Sequence, residues 1–335
     1  SGCITATYGG SGGTDYPTTG TITCDVVTAH TKIVCNTVVG VGASHGWIVT
    51  LASQASAKST ATVSYTPPTV TSVTKTGGAG TLATAGTDTV TVIGTSFGPV
   101  CNTGCVTATY GSNSEGTNYP TSGSVTCNVV TADTNLLCNM VAGVGNDHGW
   151  VITVGGQSTS KSSDRTAYTR PAITNIVGSA SSTAGGTVIT LTGTSFGPAS
   201  HSEASATYGP SVEPNRYSIS SCTVDSDTQM SCTTVPGKGK NLQWSVTVGG
   251  QTPASAYTTK TTSYLPPAIN TAVKTGGAGT LTTAGTDTVD IGGTNFGPTC
   301  TGCITATYGS NAGGTNYPTS GTITCDVVTA HTKMV

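Results

Sequence analysis

Every aromatic residue but Tyr257 belongs to a phrase that returns about a hundred residues later, and this periodicity limits what the chain can fold into. Phe97, Phe196 and Phe296 sit in GTSFGP, GTSFGP and GTNFGP, separated by 99 and 100 residues. Trp47, Trp150 and Trp244 sit in HGWIVTL, HGWVITV and LQWSVTV. The tyrosines recur as three series: Tyr8, Tyr110, Tyr208 and Tyr308; Tyr16, Tyr119, Tyr217 and Tyr317; Tyr65, Tyr168 and Tyr264. Large side chains placed this regularly are core anchors of one building block copied in tandem. Residues 67–170 and 171–265 read as whole copies. Residues 1–66 read as the back of an earlier copy and 266–335 as the front of a later one.

Within a copy the apolar pattern has a period of two. Val90 and Val92 alternate with Thr89 and Thr91, and Ile189/Leu191 and Val289/Ile291 repeat the pattern. Trp150, Ile152 and Val154 share one face of their segment, as do Trp244, Val246 and Val248. That alternation predicts half-buried antiparallel strands. No segment has a convincing helical period, so the expected fold class is all-β. About 100 residues of short strands between Gly, Pro and Asn turns fit an immunoglobulin-like sandwich. The junctions TPP (66–68), RP (170–171) and LPP (265–267) are short, and proline stiffens them.

The motif order carries a family resemblance. PPTVTSVT, AGTDTVTVIGTSFG, a cysteine pair, GVGNDHGWVITVGGQ and a closing Tyr before the next proline together resemble the IPT/TIG domain. That is an immunoglobulin-like module of plexins, scatter-factor receptors and other large surface proteins, found singly in some transcription factors and amylase-like enzymes. The resemblance implies tandem β-sandwich domains in a linear array. It says little about function, because the module is a scaffold put to many uses.

Twelve cysteines in a chain with only 8% charged residues point to an oxidising compartment. The pairs Cys24–Cys35, Cys127–Cys138 and Cys222–Cys232 recur, and a second pair appears as Cys101–Cys105 and Cys300–Cys303. Cys101, Cys105, Cys127 and Cys138 together would make a four-thiolate zinc set. The third copy keeps Cys222 and Cys232 but has PASHSEA in place of the other pair. Two independent disulfides separate in that way; four ligands to one ion do not. A reactive CxxC needs a helix N-terminus to lower its first thiol pKa, and Cys300 lies between strands. Cys3 and Cys325 are expected to find partners one residue before Ser1 and one after Val335.

The remaining chemistry is sparse. His30, His45, His148, His201 and His331 have no neighbour at a repeated spacing that builds a triad or metal site, and they are expected on exposed loops or strands. GVG before the tryptophan precedes a strand, not a helix, so its glycines read as turn residues with positive φ and not as a phosphate loop. Asp25, Asp88, Asp287 and Asp326 read as isolated carboxylates. No enzyme, cofactor or metal is expected. A net charge of −2 without a basic cluster argues against nucleic acid, and no apolar run is long enough to span a membrane. The segments at 52–64 and 155–167 are rich in Ser and Thr and read equally as O-glycan acceptors or polar hairpin loops; Asn-x-Ser/Thr is absent. The expected role is a structural extracellular or cell-surface repeat protein, adhesive or fibril-forming, with copies of itself as partner. A receptor ectodomain binding a protein or glycan is the runner-up.

Overall fold

The alternation of apolar and hydroxylated residues resolves into β-strands throughout the computed structural model, which describes residues 4–10, 14–112, 118–121, 123–178, 180–199, 202–255, 257–309, 315–318 and 321–335. Cys3 and His201 lie outside the described residues. Every regular element among them is a strand, and the fold is an all-β tandem of immunoglobulin-like domains. The chain divides into two compact units, Ser1–Thr169 and Arg170–Val335.

The third repeat is the plainest sandwich. One sheet runs in the order Ala172–Val177, Val188–Thr194, Gln229–Thr233, Thr223–Ser226; the other runs Ala180–Ser181, Tyr257–Tyr264, Leu242–Val248, Ala204–Gly209, Tyr217–Ile219. Ile189, Leu191, Met230 and Cys232 are buried from the first sheet, and Ala206, Tyr208, Trp244 and Val246 from the second. Alternate residues face outward, as a two-layer β-sandwich requires.

In the second repeat the corresponding strands form one continuous sheet. Its order is Gln157–Ser158, His148–Val154, Cys101–Ser112, Val125–Thr131, Asn135–Asn139, Thr89–Thr95, Thr69–Lys75. Val125–Thr131 pairs with strands of both layers, and a bulge between Cys101 and Val106 lets the long Cys101–Ser112 strand follow it. The core holds Val90, Val92, Phe97, Tyr110, Leu136, Trp150, Ile152 and Tyr168. Phe97 lies over Gly94, where a Cβ would be 2.5 Å from its ring. The residue before it, Ser96, takes φ +62°, and Ser195 and Asn295 take +60° and +62° before Phe196 and Phe296. This left-handed step tips each phenylalanine inward at the end of its strand.

In residues 1–66 the sheet order is Lys32–Cys35, Ile22–Thr28, Ile4–Gly9, His45–Leu51, Gln54–Ala55. Residues 266–335 give Ala268–Lys274, Val289–Thr294, Lys333–Met334, Ile323–Thr329, Cys300–Ala306, with Phe296 buried beside Cys325, Val327 and Met334.

Candidate functional site

The repeated feature that gathers most polar chemistry is a loop held by tyrosines at one pole of each of the first three repeats. In the second repeat Tyr110 stacks between Trp150 (4.5 Å between ring centres) and Tyr119 (5.4 Å). The Tyr110 and Tyr168 hydroxyls are 2.7 Å apart, and Tyr168 donates to Val141 O at 2.7 Å. The Tyr119 hydroxyl accepts from Val144 N at 2.9 Å and donates to Val144 O at 3.2 Å. The third repeat repeats the device. The Tyr208 and Tyr264 hydroxyls are 2.7 Å apart, Tyr264 donates to Val235 O, and Tyr217 grips both main-chain groups of Lys238. In the first, Tyr8 and Tyr65 hold Val38 while Tyr16 grips Val41. The tip residue is therefore Val41, Val144 or Lys238, each fixed by a phenol.

The two glycines around that tip have different jobs, only one of them the turn role expected from sequence. Gly42, Gly145 and Gly239 take φ of +101°, +96° and +116°. Gly40, Gly143 and Gly237 lie under the tyrosine rings; a Cβ on Gly143 would stand 2.7 Å from Tyr119 and 2.8 Å from Tyr168.

The histidines beneath the loop correct the expectation of exposure. His45 and His148 are 3% and 2% exposed. His148 is met edge-on by Tyr110, Tyr119 and Tyr168 at 5.9, 5.5 and 5.5 Å, and its Nε2 lies 3.1 Å from Val144 O. Its Nδ1 has no partner. A polar ring is tolerated there because tyrosine edges line the cavity, a feature invisible in a linear pattern. Burial lowers the His148 pKa, only partly offset by the carbonyls of Val144 and Gly145. Burial also pushes the Tyr110 hydroxyl up to about 12 and raises those of Tyr65, Tyr168, Tyr208 and Tyr264. These phenols are neutral hydrogen-bonding struts at any ordinary pH.

In two places the tip meets the next repeat. Within residues 1–169, Val41 lies against Gly98 of the FGP turn, so closely that a Cβ on Gly98 would overlap Val41 Cγ1. Gly42 packs against the Gly155 turn, and Gln157 Nε2 donates to Tyr65 O at 3.2 Å. Within residues 170–335 the Lys238 stem packs on Gly297, its Nζ is 3.6 Å from Cys300 Sγ, and His331 Nδ1 is 3.0 Å from Thr183 Oγ1. Both FGP turns are braced from behind, by Asp133 N donating to Gly98 O and His331 N donating to Gly297 O, each at 2.7 Å. His331 and Asp133 occupy one left-handed turn position, as does His30.

The cysteines are bonded as Cys24–Cys35, Cys101–Cys105, Cys127–Cys138, Cys222–Cys232 and Cys300–Cys303. Cys24–Cys35 and Cys127–Cys138 join facing residues of a hairpin. Cys325 is buried and unbonded, and burial raises its thiol pKa. Phe97, Phe196, Phe296, Trp150 and Trp244 are buried, while Trp47 is half-buried.

Two further expectations change. Asp88 and Asp287 are not isolated. Asp88 accepts from Ala83 N at 2.6 Å and pairs with Lys75 at 2.9 Å; Asp287 accepts from Thr282 N and pairs with Lys274 at 2.8 Å. These bonds hold the Asp88 carboxyl below its usual pKa, and the Lys274 hydrogen bond, with that of Thr282, brings Asp287 to about 2. Asp326 accepts from Gly302 N, as Asn128 does from Gly104 N. The Ser/Thr-rich segments are more than polar loops or free glycan acceptors. Ser162 and Thr159 hydroxyls accept from Trp150 N and Ile152 N, and Ser59 and Ser56 do the same for Trp47 N and Val49 N. Thr166 Oγ1 accepts from Trp150 Nε1 at 3.0 Å. Hydroxyls thus cap the outer edge of the tryptophan strand.

No group of three or more His, Cys, Asp or Glu positioned for a metal occurs among the described residues, and no helix there is long and apolar enough to cross a membrane. A shallow depression of about 310 Å³ is lined by Ala172, Ile173, Pro253, Ala254, Ser255, Tyr257 and Thr259. Its one titratable group, the Tyr257 hydroxyl, donates to Thr174 O at 2.9 Å.

Residues 171–264 match the family model of the IPT/TIG domain. No curated protein matches the chain. Among solved structures, it is similar to the plexin A4 extracellular region at 14% identity and a TM-score of 0.26, over 93% of this chain and 25% of that one. It is also similar to FdeC, an Escherichia coli adhesin, at 15% identity and a TM-score of 0.23, over 70% and 76% of the two chains. A third likeness is to the Bacteroides ovatus mixed-linkage glucan protein SGBP-B, at 14% identity and a TM-score of 0.19, over 81% and 62%. The chain spans about a quarter of the plexin chain. Likeness at this level carries no functional information.

Proposed function

We propose that this IPT/TIG tandem-repeat protein is a non-catalytic structural protein outside the cell, one that forms or decorates a surface fibril. The observation that carries this reading is the joint. A tip residue clamped by a phenol in one repeat rests on the FGP glycine of the next, once as Val41 on Gly98 and again as Lys238 on Gly297. The same contact built at two separate joints fixes the neighbours on either side of each, as an extended array needs and an isolated binding domain does not.

Three features support it. Disulfides across hairpins suit an oxidising exterior. The low charge leaves surfaces with little electrostatic repulsion between copies. The buried tyrosines are committed to holding loops. O-linked sugar is confined to exposed hydroxyls outside the edge cap, such as Ser53 and Thr60.

Negative-stain microscopy of extracellular material tests the reading: regular threads are expected, with an axial repeat set by a domain of roughly 100 residues. Dispersed particles that run as monomers and bind a soluble protein or glycan would favour the receptor reading. Intact mass before and after deglycosylation reads the sugar directly.

A further inference from the structure

Two disulfides of the same design sit beside two different tips. Cys101–Cys105 and Cys300–Cys303 each close a loop at the start of a strand, Cys101 facing Val129 and Cys300 facing Val327. In both loops the first cysteine is half-buried and the second exposed. The second repeat has the strands of a whole domain, so exposure of the second sulfur belongs to the loop itself. Both joints seat a clamped tip on the FGP glycine close by, but Val41 brings a methyl group to Gly98 and Lys238 brings its stem to Gly297. Tyr217 fixes Lys238 N and O at 2.9 and 2.6 Å, and a Cβ on Gly297 would meet the Lys238 stem at 3.3 Å. Aimed in this way, Lys238 Nζ donates to Cys300 Sγ at 3.6 Å. No carboxylate among the described residues pairs with that ammonium.

We propose that Cys300–Cys303 is a thiol-exchange site, which takes up a small monothiol on Cys303 as a mixed disulfide. The attacking thiolate bonds to the exposed Cys303 Sγ. The bond from Cys303 Sγ to Cys300 Sγ breaks, and its electron pair leaves on Cys300 Sγ as a thiolate beside the Lys238 ammonium. A sulfur leaves faster the better its thiolate is stabilised, and a neighbouring lysine stabilises it. The step reverses when Cys300 attacks Cys303 and expels the monothiol, so no separate oxidant or reductant enters. The sequence offered CTGC no helix N-terminus; the preceding repeat supplies the positive charge instead. The loop keeps its place when the bond opens, because Gly302 N donates to Asp326 Oδ1 at 2.7 Å and strand pairing continues from Ile304. Asp326 stands where the second repeat has Asn128, and its charge opposes a thiolate at Cys300. Preferential opening of Cys300–Cys303 therefore isolates the effect of Lys238. The hairpin disulfides Cys127–Cys138 and Cys222–Cys232 are buried from an incoming thiol.

The full chain, its free thiols first blocked with N-ethylmaleimide, is held with excess β-mercaptoethanol. Samples are trapped over time with isotope-labelled N-ethylmaleimide and mapped by peptide mass spectrometry. Early samples should carry mercaptoethanol on Cys303 and labelled maleimide on Cys300, formed at least about tenfold faster than Cys101–Cys105 opens. Lys238→Met should remove that preference, and Lys238→Arg, which keeps the charge, should retain most of it. Equal rates at the two loops in the wild type would overturn the proposal, as would mercaptoethanol on Cys300 in place of Cys303. So would a preference that survives Lys238→Met. A preference lost as fully in Lys238→Arg as in Lys238→Met would also overturn it, since packing and not charge would then set the rate. The proposal is independent of the scaffold reading: each of these outcomes leaves the seating of Lys238 on Gly297 untouched.

Discussion

The second and third repeats solve the same folding problem with different parts, and the differences separate what the domain requires from what it tolerates. Both keep the stacked tyrosine and tryptophan, the clamped loop and the hairpin disulfide. The second adds the Cys101–Cys105 staple, where Gly104 donates to Asn128 Oδ1 and Cys101 faces Val129, and its two layers run together as one sheet. The third has PASHSEA there. Its corresponding strand breaks into Tyr217–Ile219 and Thr223–Ser226, one in each sheet. The second places His148 under the loop, whereas the third places Leu242, 1% exposed. The second ties its first loop with Asp88; in the third, Thr187 Oγ1 takes the equivalent bond from Ser182 N at 3.3 Å. The aromatic clamp is thus the invariant part, while staple, histidine and carboxylate are additions.

The largest effect tests that invariance. Trp150→Ala and Trp244→Ala should each cost about 3–5 kcal/mol in denaturant unfolding, because both rings are wholly buried. A loss below 1 kcal/mol in either would remove the clamp from the common core. Next comes Cys127→Ser with Cys138→Ser. Opening a loop of 11 residues should cost roughly 2–3 kcal/mol. The second repeat retains its Cys101–Cys105 link, so limited proteolysis should cut the third repeat faster after the matching change at Cys222 and Cys232.

The pH response sharpens the contrast further. The His148 pKa is lowered in the folded state, so the unfolded chain takes up the proton first. Stability of the second repeat should be flat above about pH 6.5 and fall below it, by up to about 1.4 kcal/mol per pH unit, until the folded-state value is reached. His148→Leu should remove that slope and leave a response like the third repeat's. Thermal melts from pH 7.5 to 5 check it; an unchanged slope in the variant would assign the acid sensitivity elsewhere. The smallest effect is expected from Asp88→Thr, which copies the third repeat. Its ion pair with Lys75 is partly exposed, so the loss should stay within about 1 kcal/mol, and only above the carboxylate range, because protonation removes the same stability in the wild type.

The strand content and the sandwich were legible because alternation such as Val90/Val92 against Thr89/Thr91 maps directly onto a sheet with one buried face. The aromatic anchors were legible because each large ring recurs. The joint was not. Val41, Gly98 and Gly155 are far apart in sequence, and nothing in a glycine announces that a neighbouring domain rests on it. The buried histidines were misread for a related reason: HGW looks like a polar strand entry until three tyrosines from distant phrases close around the ring. The Ser/Thr-rich segments concealed their role too, since a hydroxyl that caps a strand looks in sequence like one that faces water.

The account rests on the joint being fixed, and nuclear relaxation of the Trp47 and Trp150 indole N–H groups tests that most directly. The two indoles sit in successive repeats joined by Val41 on Gly98. One shared rotational correlation time is expected in the wild type, and two shorter ones in Gly98→Val, whose side chain leaves Val41 no seat. Independent tumbling of the two indoles in the wild type would contradict the account.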